Sequence, residues 1–62
     1  MGIKKHREAA GMSQQELADK IGVARSAVAM WETGQSKPRY DKLSEMSQLF
    51  GCSIEELMKK EE

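Results

Sequence analysis

Apolar residues recur along this chain at intervals of three and four, and the stripes they form are cut at regular points by glycine. Ile3, Arg7 and Ala10 share one face of a first predicted helix, ended by Gly11, and Leu17, Ala18 and Ile21 line a second, ended by Gly22. Val28 and Trp31, with Ala24 before them, line a third, ended by Gly34. Leu43, Met46, Ser47 and Phe50, with Leu49 beside them, line a fourth that ends at Gly51, and Ile54, Leu57 and Met58 mark a short fifth. Glycine just past a helical stripe is where a left-handed residue closes a helix. The start signals agree. Ser13 to Glu16 and Ser53 to Glu56 both have the spacing of a capping box, in which hydroxyl and carboxylate each satisfy an orphan N–H. Pro38 cannot continue a helix from upstream, so residues 35–39 form a loop and the fourth helix begins near Tyr40. No segment alternates apolar and polar residues, so no strand is expected. The pattern predicts an all-α fold: a compact five-helix orthogonal bundle, with residues 1–62 as a single domain.

Composition narrows the chemistry. One cysteine, Cys52, and one histidine, His6, among 62 residues exclude an internal disulfide and make a Cys/His zinc site unexpected, so the reading includes no metal and no cofactor. His6, between Lys5 and Arg7, reads as solvated, Cys52 as a small core residue, and Met12 and Met46 as core filler. A lone cysteine fits a reducing compartment, which points to the cytoplasm. No apolar run approaches the roughly 20 residues of a membrane span, so no membrane association is expected. No nucleophile–base pair, metal cluster or phosphate loop is present in the sequence. The chain is therefore not read as an enzyme, and no small-molecule substrate is expected.

Ten basic and ten acidic side chains cancel, so net charge alone argues for no particular partner. Their distribution changes that picture. Arg25 to Lys42 holds four basic and two acidic residues, whereas Glu45 to Glu62 holds two basic and five acidic ones. A basic face and an acidic far face can sum to nothing, and the acidic end should weaken non-specific binding to polyanions.

Two short helices joined by about three residues including a glycine, as at Ile21-Gly22-Val23-Ala24-Arg25, form a helix-turn-helix pattern spanning about residues 14–32. The residues themselves go further. Gly11 to Val23, with Gln14-x-Glu16-Leu17-Ala18 at its centre, then Trp31-Glu32-x-Gly34 and Lys37-Pro38, and then Leu43 to Leu57, resemble the phage-repressor-like helix-turn-helix family (the Cro/C1 or XRE group) over nearly the whole chain. The resemblance implies the lambda-repressor-like five-helix fold. It also implies binding of double-stranded operator DNA, usually as a dimer, with the third helix in the major groove. The function expected from it is a sequence-specific transcription regulator acting as a repressor.

Within that frame Arg25, Ser26, Ala29 and Met30 are the outward positions expected to read bases. Arg25 can pair bidentately with guanine, Ser26 can bond bases or a phosphate, and Ala29 and Met30 offer apolar contact to a thymine methyl. The family places a phosphate contact at the position of Gln14, and Thr33, Gln35, Lys37 and Arg39 are expected to reach the neighbouring backbone. Lys4 and Lys5 are peripheral candidates. The family also pairs an arginine on the first helix with a glutamate at the end of the third, which here are Arg7 and Glu32. One departure stands out: Ala24 occupies a position often held by threonine or serine, so the third helix should have a weak N-cap.

Ile54, Leu57 and Met58 have two readings: they finish the core, or they form a weak homodimer contact that is strengthened on a pseudo-palindromic operator. The competing functional class is a protein-interaction module, an antitoxin or adaptor that keeps the fold without specific DNA reading. Neutral charge and the Ala29–Met30 pair favour it; Arg25, Lys37 and Arg39 disfavour it.

Overall fold

The computed structural model describes residues 1–59. Lys60, Glu61 and Glu62, part of the acidic end noted above, lie outside the described residues. The chain forms α1 (Ile3–Ala9), α2 (Gln14–Ile21), α3 (Arg25–Thr33), α4 (Tyr40–Phe50) and α5 (Ile54–Met58), and the described residues contain no strand. The five predicted helices are all there. The four glycines predicted to end helices all have positive φ. Gly22 is the one that matters most for the site. At φ 72° and ψ 39° it turns the chain out of α2, and the N–H of Val23 then bonds the Ala18 carbonyl at 3.0 Å. A side-chain-bearing residue would be strained there, and α3 would start at a different angle.

Ser13 builds the predicted capping box in full: its Oγ accepts from the Glu16 N–H at 3.0 Å, and its own N–H donates to Glu16 Oε1 at 3.0 Å. The box predicted at Ser53 forms only by half. Ser53 Oγ accepts from the Glu56 N–H at 3.1 Å, but the Glu56 carboxylate turns towards His6 instead. Ala24 is the N-cap of α3 and supplies no side-chain bond, as expected.

All five helices contribute to one core. Ile3, Leu17, Ala18, Ile21, Val28, Trp31, Leu43, Met46 and Leu57 are buried, with Phe50, Cys52 and Ile54 packed at its edge. Fully burying one large aliphatic side chain stabilises a fold by about 1.5–3 kcal/mol, so this cluster supplies the main driving force. Leu57 is completely buried, which assigns it to the core and removes it from any contact between copies. Ile54 is half-buried, and Met58 stays 57% exposed.

Three expectations need correction. Ala10 is exposed and caps α1 rather than sharing its inner face, because the helix ends at Ala9 and its closing N–H bonds fold back to His6 and Arg7. Met12 is half-buried outside the core cluster, and its carbonyl rather than its side chain makes the important contact. His6 is not freely solvated. Its ring stacks on Phe50 with centroids 6.0 Å apart.

The N-terminus carries a constraint with no helical pattern to announce it. Gly2 is buried, its N–H donates to the Leu57 carbonyl at 2.7 Å, and a Cβ there would sit 2.9 Å from the Glu56 carbonyl oxygen. Only glycine lets the start of α1 approach α5 this closely.

Candidate nucleic-acid interface

Helix α3 is anchored on one side and open on the other. At about 100° per residue, Arg25, Ser26, Ala29, Met30 and Thr33 fall within an arc of about 140°. Val28 and Trp31 lie on the opposite side, inside the core. Arg25, Ser26, Met30 (40%) and Thr33 are exposed, and Ala29 is half-buried between them. The geometry thus brings together the four residues expected to read bases, with Ala29 least available.

Glu32 projects from the flank of α3 next to Arg25, and it ties the helix to the rest of the body. Arg7 Nε donates to Glu32 Oε2 at 2.7 Å and Arg7 Nη2 donates to Oε1 at 3.2 Å, while Nη1 donates to the Met12 carbonyl at 2.7 Å. The Arg7 and Glu32 side chains are only 10% and 4% exposed. The predicted ion pair is therefore bidentate and shielded from water, and the hydrogen bond to Glu32 holds the Arg7 guanidinium even more firmly protonated than usual. Geometry of this kind fixes where α3 sits on α1.

Gln14 extends this network towards the open face. Its Nε2 donates to Glu32 Oε1 at 2.9 Å, and its Oε1 accepts from Arg25 Nη1 at 3.3 Å. The amide orientation follows from its neighbours, because an ionised carboxylate only accepts and a guanidinium only donates. These two bonds add to the phosphate contact expected of Gln14, and no local sequence signal announces them. One Gln14 N–H remains for that contact, alongside the backbone N–H groups at the start of α2. The bond to Gln14 also steadies Arg25 at the start of α3, where the helix dipole disfavours a cation, and it leaves Nε and Nη2 free.

The flanking candidates divide. The Thr33 hydroxyl donates its proton to the Met30 carbonyl at 3.2 Å, so in this rotamer it has none for a phosphate. Gln35, Lys37 and Arg39 are exposed in the loop between α3 and α4. Lys37 and Arg39 border an open groove with Val23, Trp31, Pro38 and Asp41. Lys42, which also lines it, is already occupied: its Nζ donates to the Ile21 carbonyl at 2.9 Å and lies 3.1 Å from Glu45. That bond satisfies a free carbonyl at the C-terminus of α2 and fastens α4 to the helix-turn-helix unit. No sequence signal announces it, since a lysine on a helix surface reads as solvated.

Comparisons with known proteins bear on the family to which the chain belongs. A helix-turn-helix family model matches residues 3–57. The HTH-type transcriptional activator BcrR of Enterococcus faecalis is 32% identical over 60 residues, covering 97% of this chain and 29% of that protein. The uncharacterized HTH-type transcriptional regulator YqaE of Bacillus subtilis is 36% identical, covering 95% of this chain and 51% of its own length. An uncharacterized HTH-type transcriptional regulator of Archaeoglobus fulgidus is 34% identical, covering 89% and 79%. This chain thus spans about half of YqaE and less than a third of BcrR. No solved structure matches significantly. Among the described residues, no helix is long and apolar enough to cross a membrane. With its capped α2, left-handed Gly22 turn and α3 pinned through Glu32, the chain belongs to the phage-repressor-like helix-turn-helix family of transcription regulators.

Proposed function

We propose that this chain binds double-stranded operator DNA sequence-specifically, with α3 in the major groove, and acts as a repressor in the cytoplasm. The observation that carries this reading is the anchored recognition arc: α3 is locked on its inner side by Val28 and Trp31 and on its flank by Glu32, while Arg25, Ser26 and Met30 remain exposed. A rigid helix with a donor-rich residue in its first turn suits base-edge readout. Arg25 contributes a guanidinium fork to guanine, Ser26 a hydroxyl, and Met30 with Ala29 an apolar surface for a thymine methyl. Gln14, Lys37 and Arg39 take phosphates on either side, with Gln35 beside them.

The described body measures 24 × 23 × 21 Å, so one copy covers about seven base pairs at about 3.4 Å each. Repression by occlusion is the simplest consequence. Two copies on half-sites about 34 Å apart fit a pseudo-palindromic operator. The exposed Met58 with half-buried Ile54 supplies the small surface for a weak homodimer that DNA strengthens. This reading describes a binding protein and assigns no catalytic step to it.

Selection of binding sites from a random duplex pool, followed by salt titration of the selected site, tests the proposal. A defined consensus, with affinity falling steeply as salt rises from about 50 mM, is the expected result. No salt-sensitive binding to any duplex at about 50 mM contradicts it and favours the protein-interaction module, for which the exposed Met30 is the natural contact.

A further inference from the structure

His6 on α1 is remote in sequence from Cys52 and Glu56, yet its imidazole nitrogen, the Cys52 sulfur and a Glu56 carboxylate oxygen all lie within 4.8 Å of one another. Packing holds the His6 ring and the backbone of all three residues in place. The His6 ring stacks on Phe50 with an interplanar angle of 23°. The bond from the Gly2 N–H to the Leu57 carbonyl at 2.7 Å pins the start of α1 against α5. The Cys52 N–H bonds the Ser47 carbonyl at 3.1 Å, and Ser53 caps the Glu56 N–H, so the backbone of the α4–α5 corner is fixed as well. One sulfur, one imidazole nitrogen and one carboxylate oxygen make the donor set of a tetrahedral site with an open fourth position. The sulfur selects against magnesium and calcium, which take oxygen ligands.

We propose that His6, Cys52 and Glu56 bind one zinc(II) ion, with water as the fourth ligand, and that the ion clamps α1 to the α4–α5 corner. Sulfur and nitrogen ligands on tetrahedral zinc stand about 3.5 Å apart, so the donor atoms close by about 1 Å on binding. The Glu56 side chain is 62% exposed and free to swing, and it already stands 3.9 Å from His6 Nε2. Burial, together with the Glu56 charge, pushes the Cys52 thiol above its ordinary pKa. Zinc therefore displaces the thiol proton: the sulfur–hydrogen bond breaks, a zinc–thiolate bond forms, and one proton leaves to solvent with no change of oxidation state. The three ligands meet only in the folded chain, so zinc stabilises the folded state by mass action.

Titration of the full chain with cobalt(II), kept reduced by a phosphine, tests the proposal without DNA. The expected result is a thiolate-to-cobalt charge-transfer band with visible d–d bands of four-coordinate intensity. They saturate at one cobalt per chain and disappear on adding an equivalent of zinc. Cys52→Ser removes the charge-transfer band, and His6→Gln and Glu56→Gln each weaken binding by about tenfold or more. Glu56→Gln changes an exposed side chain away from the core, so it reports on the metal even if the other variants fold poorly. Absence of four-coordinate bands at millimolar cobalt overturns the proposal. So do bands that survive unchanged in Cys52→Ser or Glu56→Gln.

Discussion

Removing the Glu32 carboxylate should cost far more than an ordinary surface charge. In Glu32→Ala the Arg7 guanidinium remains in place at 8% exposure, having lost the acceptors of its bonds at 2.7 and 3.2 Å. Only the Met12 carbonyl is left to it, and the Gln14 amide loses its acceptor as well. Breaking a buried pair by deleting one partner costs about 3–5 kcal/mol, because the remaining charge is desolvated and unpaired. An exposed pair would cost about 0–1 kcal/mol. At about 0.05–0.15 kcal/mol per residue, a chain of 62 residues has a total stability of about 3–9 kcal/mol. The substitution should therefore remove a third or more of the folding free energy. Trp31, 6% exposed and adjacent in sequence, is a built-in probe, so urea denaturation followed by its fluorescence measures the loss. Replacing both partners, Arg7→Met with Glu32→Leu, should recover most of it, since a buried ion pair often matches an apolar pair of similar volume. A loss below about 1 kcal/mol in Glu32→Ala would refute the shielded network and return Arg7 and Glu32 to the status of surface charges.

Ala24→Ser should stabilise the domain by about 1 kcal/mol by giving α3 the cap it lacks, raising Tm by about 4–8 °C in a calorimetric scan. Leu57→Ala should destabilise by about 2–5 kcal/mol in urea denaturation. Met58→Ala should stay within about 0.5 kcal/mol, because one side chain is core and the other surface. If Met58 contributes to the dimer, Met58→Ala should also reduce cooperative binding to a two-half-site operator while leaving a single half-site unaffected.

Much of this fold is legible in the sequence because it is written in local terms. The glycines at positive φ end α2, α3 and α4 where their stripes stop, the Ser13 box starts α2, and Pro38 moves the next start to Tyr40. Each signal acts within one helical turn. What stays hidden depends on which helices meet. A stripe containing Ile3 and Arg7 does not tell that α1 stops at Ala9 and leaves Ala10 outside. Gly2 carries no pattern, because its role is set by the Glu56 and Leu57 carbonyls of another helix. His6 reads as solvated among its basic neighbours, whereas α4 brings Phe50 against its ring. The candidate site behaves likewise: the outward arc of α3 follows from helical period, whereas the Gln14 link between Glu32 and Arg25 requires α2 and α3 to be placed first. The Arg7–Glu32 pair follows only from the family resemblance, and the three bonds donated by Arg7 account for why both residues are held out of water.

The central claim is that α3 reads base edges through Arg25 while the loop after it holds the backbone. Its most direct test compares Arg25→Ala with Arg39→Ala on the selected operator and on random duplex, across a salt series. Both residues are exposed, so neither change should disturb folding. Arg25→Ala should cost about 1–3 kcal/mol on the operator and much less on random duplex. Arg39→Ala should weaken both about equally and lower the salt slope by about one. If Arg25→Ala weakens operator and random duplex by the same factor, α3 does not read bases through this residue and its placement in the groove is wrong.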